Sequence, residues 1–311
     1  MERAGTGILM SGENSTRTYY RRGPIDLLTE FTVCESLAST ESPYMTVLEN
    51  PAPYGELVGK KLFEYGVMHA GCRLCEAGGG YGSLMRGLLD SFGSLIRYVV
   101  MIDLSLYLLH VQRRLLSDRA AEMLYVNGDI ANLLPAVSGV DLIILNEVIG
   151  DLDTLTALDA RNLPLPVSSL VDRYGFEIPK KGSFNFNMGA ILLIEEICRR
   201  QIPAFIAEHA SDYLIPAEMP YLARGLDENP FPREIRLKGH SEYTIRFSHL
   251  MDVARYWGRG VKTGALLDLV GIRKSSAMRF IFLAGACATE EQQIIYEFLD
   301  HAREYRWLII Q

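Results

Sequence analysis

The chain has 311 residues, 49% of them hydrophobic and 22% charged, so it is globular rather than disordered and long enough to bury a substantial core. Its formal net charge of −7 and pI of about 5.5 argue against a general electrostatic grip on nucleic acid or on an anionic membrane. The five cysteines, Cys34, Cys72, Cys75, Cys198 and Cys287, are odd in number and scattered, which argues against a disulfide framework and fits a reducing cytoplasm.

Residues 1–23 are rich in Gly, Ser, Thr and Arg and read as a flexible arm, without the apolar core of roughly seven to fifteen residues that a signal peptide needs. Arg17, Arg21 and Arg22 beside Tyr19 and Tyr20 read either as a local docking patch or as a solvated tail. Residues 24–70 read as a helical extension. Within it, Pro24–Ala38 is spaced for a helix with Asp26-Leu27-Leu28 and Phe31 marking one face, and Thr46–Pro53 is a proline-bearing loop. Tyr54–Tyr65 is amphipathic, with Leu57, Leu62 and Phe63 inward and Glu56, Lys60 and Lys61 outward.

The most informative stretch is Arg73–Asp103. A short apolar strand reaches Glu76, a turn carries Gly78, Gly79, Gly80 and Gly82, a helix runs from Ser83 to Leu95, and a second strand, Tyr98–Asp103, ends in an acid. Cys72-x-x-Cys75 has metal or redox spacing but lies in the first strand with no second pair, so both read as packed thiols. Glycines in such a turn let a ligand approach the main chain with no Cβ between, and the helix that follows offers unpaired N–H groups. The pattern is E-x-G-x-G-x-G. The dinucleotide fingerprint G-x-G-x-x-G would place its last glycine at Ser83, which does not fit. The carboxylate of Glu76 would repel a diphosphate but favours the ammonium and sulfonium of S-adenosylmethionine. Asp103 is placed to accept the two ribose hydroxyls. The stretch therefore reads as an S-adenosylmethionine site.

Ser105–Leu116 is a second crossover helix with Ser105 at its N-cap and Arg113-Arg114 near its end. Leu124–Asp129 is a third strand, with Asp129 either hydrogen-bonding the adenine amino group or capping a helix at Ile130. Val140–Glu147 is a buried fourth strand that brings Asn146 and Glu147 to its carboxyl end, unless they are a plain strand-ending turn. Ligands in open α/β sheets sit beyond those ends. Residues 150–187, with Pro164, Pro166 and Pro179, break the alternation and read as an insertion over the site, a substrate-selecting lid.

Met188–Gln201 returns to helix; its apolar run Ala190–Ile197 is cut by Glu195 and Glu196, far short of the roughly 20 residues of a membrane span. Pro203–His209 is the fifth strand, and residues 211–243 are a second irregular insertion. Tyr243–Phe247 is read as a strand, Ser248–Trp257 as a helix capped by Ser248, and Thr263–Leu269 as a helix closed by Gly271. Strands Arg279–Ala286 and Arg306–Ile310 then flank a helix, Thr289–Tyr305. The expected fold is α/β: a class I, Rossmann-like, mostly parallel sheet with helices on both faces. Its core is residues 71–149 and 188–311, with the lid segments inserted and the helical extension at the N-terminus.

The chain resembles the MidA-like S-adenosylmethionine-dependent methyltransferases over residues 45–272, in diverged form. The family's T-A-x-E-I-S-x-x-F-G-E is echoed by Thr46, Glu49, Tyr54, Gly55 and Glu56, and its E-x-G-P-G-R-G-x-L by Glu76, Gly78, Gly80, Gly82 and Leu84, with Gly79 and Tyr81 in place of its proline and arginine. Its acid-x-S-P-x-L-x-x-x-Q is echoed by Asp103, Ser105, Leu108 and Gln112, with Leu106 for the proline. Its N-E-F-F-D-A-L-P keeps only Asn146-Glu147, and its I-D-Y-G is matched by Ala207–Ala210. Its H-V-D-F-x-x-L is matched by Ile245–Leu250, and its G-I by Gly271-Ile272. The resemblance implies methyl transfer to a protein side chain, arginine included, or to a small molecule.

The cofactor set is then Glu76, Gly78, Gly80, Gly82, Asp103, Ser105, Asp129 and Asn146, and the catalytic set Glu147, Asn146 and Glu49, with no metal. His209, His240 and His249 are further candidate bases for a hydroxyl or amine acceptor. The loss of an acid after Asn146-Glu147 keeps a second expectation open, an assembly factor that binds the cofactor and docks a partner without turnover. No nucleic acid or membrane partner is expected, and a homodimer stays open.

Overall fold

The computed structural model describes residues 15–27 and 31–311. The first fourteen residues of the arm, and Leu28 of the expected helical face, lie outside that range. Helix α1, Ser15–Arg21, forms the described part of the arm. Pro24–Ala38 was expected to be one helix; among its described residues α2, Val33–Ser36, is the α-helix, started by the Thr32 hydroxyl accepting from Glu35 N. Helix α3, Tyr54–Glu64, buries Tyr54, Val58 and Leu62 together with Gly55 and Gly59. Phe63, expected inward, is 55% exposed, because the glycine face rather than the largest side chain is what packs.

The α/β core then unrolls as β1 (Cys72–Ala77), α4 (Ser83–Phe92), β2 (Ile96–Asp103), α5 (Leu106–Leu115), β3 (Glu122–Asn127), α6 (Ile130–Leu133) and β4 (Leu142–Asn146). The first insertion has its own structure, a hairpin of β5 (Leu155–Asp159) and β6 (Ser183–Phe186) around α7 (Leu165–Tyr174). Next come α8 (Met188–Arg199), β7 (Ala204–His209) and a second hairpin of β8 (Glu234–Arg236) and β9 (Ser241–Tyr243). The chain ends with α9 (Phe247–Tyr256), β10 (Val261–Ala265), α10 (Leu266–Val270), α11 (Ser276–Ala284), α12 (Glu290–Ala302) and β11 (Tyr305–Ile310).

Seven strands form one sheet in the order β10-β11-β7-β4-β1-β2-β3. The five from β7 to β3 are parallel, and β11 runs antiparallel between β7 and β10. Alternation along each strand feeds two cores. Leu74, Val99, Met101, Ile144 and Phe205 pack on one face, and Cys75, Val100, Ile143, Leu145 and Ile206 on the other. Both members of Cys72-x-x-Cys75 are buried free thiols. The sheet is therefore the class I, Rossmann-like arrangement expected from the sequence. Among the described residues no helix is long and apolar enough to cross a membrane.

Four further expectations change. Arg279–Ala286 is not a strand: Met278, Ile281 and Phe282 are buried while Phe280 is 72% exposed, the spacing of a helix face. Thr263–Leu269 divides, because residues through Ala265 pair with β11 and only Leu266 onward coils. The short strand expected at Tyr243–Phe247 is displaced towards β9, and Ile245 makes only an isolated bridge to Ala210. Ser248 does not cap α9; the helix begins at Phe247, and the carboxylate of Asp212 accepts from both Phe247 N and Ser248 N.

Candidate functional site

Strand order reverses between β1 and β4, and a crevice opens beyond their carboxyl ends. The turn after β1 forms one wall. Gly78, Gly80 and Gly82 all have positive φ, +65°, +53° and +94°. A Cβ on Gly78 would sit 2.4 Å from Val148 Cγ2, so the bare main chain is required there by packing as well as by conformation. Gly78, Gly79 and Gly80 line the cavity; Gly82 does not, and instead supplies the left-handed N-cap of α4 against Gln112.

Two buried acids stand on either side of this turn. Glu76, 1% exposed, keeps one carboxylate oxygen without a hydrogen-bond donor, and burial, with Asp103 and Glu35 nearby, pushes its pKa up to about 8. Asp103 accepts from Ser105 N at 2.8 Å and from Gln112 Nε2 at 2.9 Å, and burial raises it to about 6. Gln112 also donates to Gly80 O at 2.9 Å, so one amide ties the glycine turn to the acid. Ser105 is the N-cap of α5, its hydroxyl accepting from Leu108 N, and it supports Asp103 from behind rather than lining the cavity. Asp129 lines it and takes the capping role: one oxygen caps α6 through Ala131 N, and the other pairs with Arg17 at 3.1 Å.

At the β4 end, Asn146 lies between two partners, accepting from the Tyr54 hydroxyl at 2.8 Å and donating to Glu147 at 3.0 Å. Glu147 has φ +52°, outside the usual range for a side-chain-bearing residue. Its carboxylate receives Val33 N, Cys34 N, the Tyr305 hydroxyl and Asn146, while burial lifts its pKa to about 7. Four donors fill the capacity of a carboxylate. Glu147 therefore fastens the start of α2 over the cavity. Glu49 is elsewhere: it is exposed, and its N–H pairs with Gly271 O. His249 is buried against Phe176 and away from the cavity, whereas His209 lines it, with burial holding its pKa down at about 3.

Several lining residues were not singled out in the sequence. Glu35 accepts from Ser83 Oγ at 2.8 Å, and its only sequence signal is the capping pattern Thr32-x-x-Glu35. Glu208 sits at the end of β7, accepts from Gly150 N and His209 N, and is raised to about 8 by burial and by Glu242. Tyr305 reaches the site from the last strand, which no local pattern could announce. The cover comes from α1, through Thr16, Arg17 and Tyr20. Of the two insertions, the first contributes Asp151 and Leu152, and the second Ile235, Leu237 and Glu242.

No protein-family model matches the chain, and no curated protein matches it. Solved structures do. An uncharacterized member of the MidA-like superfamily from Burkholderia thailandensis is 14% identical, with a TM-score of 0.54 over 89% of this chain and 83% of its own. A second member from the same organism, bound to S-adenosyl-homocysteine, is 16% identical, with a TM-score of 0.54 over 91% of this chain and 79% of its own. At this identity the likeness is one of fold, and it extends over nearly the whole chain.

Proposed function

We propose that this protein is a methyltransferase that uses S-adenosylmethionine. The observation that carries the reading is the pair of buried acids flanking a main chain stripped of side chains. Glu76 offers an oxygen that lacks any hydrogen donor, as a cationic ligand would require. Asp103 is oriented by Ser105 N and Gln112, with lone pairs left for neighbouring hydroxyls. A diphosphate would lie between two carboxyl groups whose ionisation its own charge opposes, whereas a cation favours that ionisation. Glu76, Gly78, Gly80 and Asp103 are assigned to direct contact, Gly82 and Ser105 to shaping it, and Asp129 and Asn146 to the ends of the ligand. The solved relative that carries S-adenosyl-homocysteine, the product left after methyl loss, supports this choice over a nicotinamide cofactor.

The acceptor is a protein side chain, arginine included, or a small molecule, and it enters where the β4 and β7 ends meet. Methyl transfer from sulfonium is an in-line displacement, so the protein's task is to position the acceptor and take its proton. Glu147 and Glu208 are the carboxylates at that end; Glu208, with two donors, retains accepting capacity. Asn146 positions Glu147. Residues 71–149 and 188–311 are assigned to the cofactor core, with 150–187 and 211–243 completing the acceptor side, and the free cysteines suit a cytoplasmic location.

The full saturation of Glu147 favours one second reading, a cofactor-binding assembly factor that docks a partner without turnover. Thermal-shift titration with S-adenosylmethionine, S-adenosyl-homocysteine and NAD separates cofactors: stabilisation by the adenosyl compounds and not by NAD is expected, and the reverse overturns the reading. Formation of S-adenosyl-homocysteine on incubation with cell extract then separates the enzyme from the docking protein.

A further inference from the structure

We propose that Asp151, His240 and Glu242 form a binding site for a divalent first-row transition-metal ion on the acceptor side of the cavity. One ligand atom from each lies within 4.8 Å of the other two. The imidazole is what lifts this group above an ordinary acidic cluster. The side chain of His240 is fully buried, and neither ring nitrogen has a hydrogen-bond partner. A buried imidazole normally gives and accepts one hydrogen bond, so two unsatisfied nitrogens call for a ligand. Nε2 stands 3.4 Å from Glu242 Oε1 and is therefore aimed into the cluster. The ring is held there by Tyr19, stacked at 4.4 Å, and by Tyr20, edge-on at 5.5 Å.

The backbone brings the three together by close packing. Gly150 N donates to Glu208, pinning the turn that carries Asp151 to the end of β7. A Cβ on Gly150 would meet Tyr243 O at 3.0 Å, so β9 lies directly against that turn and sets Glu242 beside Asp151. Among the described residues the other three-residue group with metal-ligand chemistry, His69, Cys72 and Asp141, lacks a buried unpartnered imidazole: His69 is exposed and its Nδ1 lies 3.1 Å from Ala70 O.

One imidazole and two carboxylates suit Mn²⁺, Co²⁺ or Zn²⁺ better than Mg²⁺ or Ca²⁺, which prefer oxygen alone. Three protein ligands leave open positions. Asp151 and Glu242 line the same cavity as Glu208 and Tyr305, so those positions face the acceptor region. The ligand class they would take is an acceptor carrying a hydroxyl or carboxylate oxygen. That use of the ion rests on the methyl-transfer reading; the site itself does not.

The test is titration of the full-length protein with Mn²⁺ by electron paramagnetic resonance and with Co²⁺ by visible absorption, without any adenosyl compound. One ion per chain is expected, with affinity at least tenfold weaker in His240→Ala and in Glu242→Gln. Absence of uptake by the unaltered protein, or equal uptake by both variants, overturns the proposal. Should His240→Ala fail to fold by circular dichroism, Glu242→Gln and the imidazole ¹⁵N resonances decide: Zn²⁺ must shift the His240 signal, and an unmoved signal overturns the site. Because no cofactor is added, failure here leaves the S-adenosylmethionine reading standing, and a cofactor that does not bind leaves the metal result standing.

Discussion

Burial, with the carboxyl groups of Asp103 and Glu35 nearby, pushes the pKa of Glu76 up to about 8 in the empty protein. The folded value of about 8 lies above the ordinary 4.5, so the folded state holds more protons than the unfolded one between those limits. Stability without ligand should therefore fall as pH rises through that window, and melting curves from pH 5 to 8.5 will read it. A cation placed against Glu76 restores the carboxylate and expels its proton. Binding of S-adenosylmethionine near pH 7 should accordingly release protons and tighten as pH rises from 6 to 8. Calorimetry in buffers of different ionisation enthalpy measures this, and net proton uptake would remove Glu76 from the site. Asp103→Ala should weaken binding by roughly ten- to a hundredfold, the loss of about 1.5–3 kcal/mol from hydrogen bonds to a charged acceptor. Gln112→Ala should cost less, since it removes the support of Asp103 and Gly80 and not a ligand contact.

At the scale of the elements, α3 packs directly against α4 through its glycines. A Cβ on Gly55 would fall 1.9 Å from Leu84 O, and one on Gly59 2.6 Å from the Phe92 ring. Gly55→Ala should thus cost on the order of 4 kcal/mol or prevent folding, whereas an alanine at the open position Gly93 should change the melting temperature little. The α2 start depends on Glu147 in a similar way. Glu147→Gln exchanges an acceptor for a donor opposite Val33 N and Cys34 N, so one of those N–H groups loses its partner. A loss of about 1–3 kcal/mol in urea unfolding should accompany any loss of activity. An unchanged midpoint with activity abolished would instead make Glu147 purely catalytic.

At the scale of the molecule, the cavity is closed by α1, whose Arg17 reaches Asp129 at 3.1 Å and Asp153 at 3.3 Å. These pairs are partly exposed and individually worth about 0–1 kcal/mol, so they hold a cover without fixing it. Arg17→Ala should raise the dissociation rate of S-adenosylmethionine several-fold in stopped-flow measurements and leave the melting temperature nearly unchanged. An unaltered rate would mean that the cover does not govern exit. What the sequence by itself determined is the parallel half of the sheet and the floor of the site, because alternating strands, the glycine turn and the acids at strand ends are short-range patterns that follow from backbone geometry. Tertiary structure alone decided the rest: β10 became a strand by pairing with β11, Arg279–Ala286 became helix by burying one face, and Glu49 was left on the surface while Glu35, Glu208, Glu242 and Tyr305 converged. Those outcomes turn on contacts between segments far apart in the chain, whose energies no local spacing encodes.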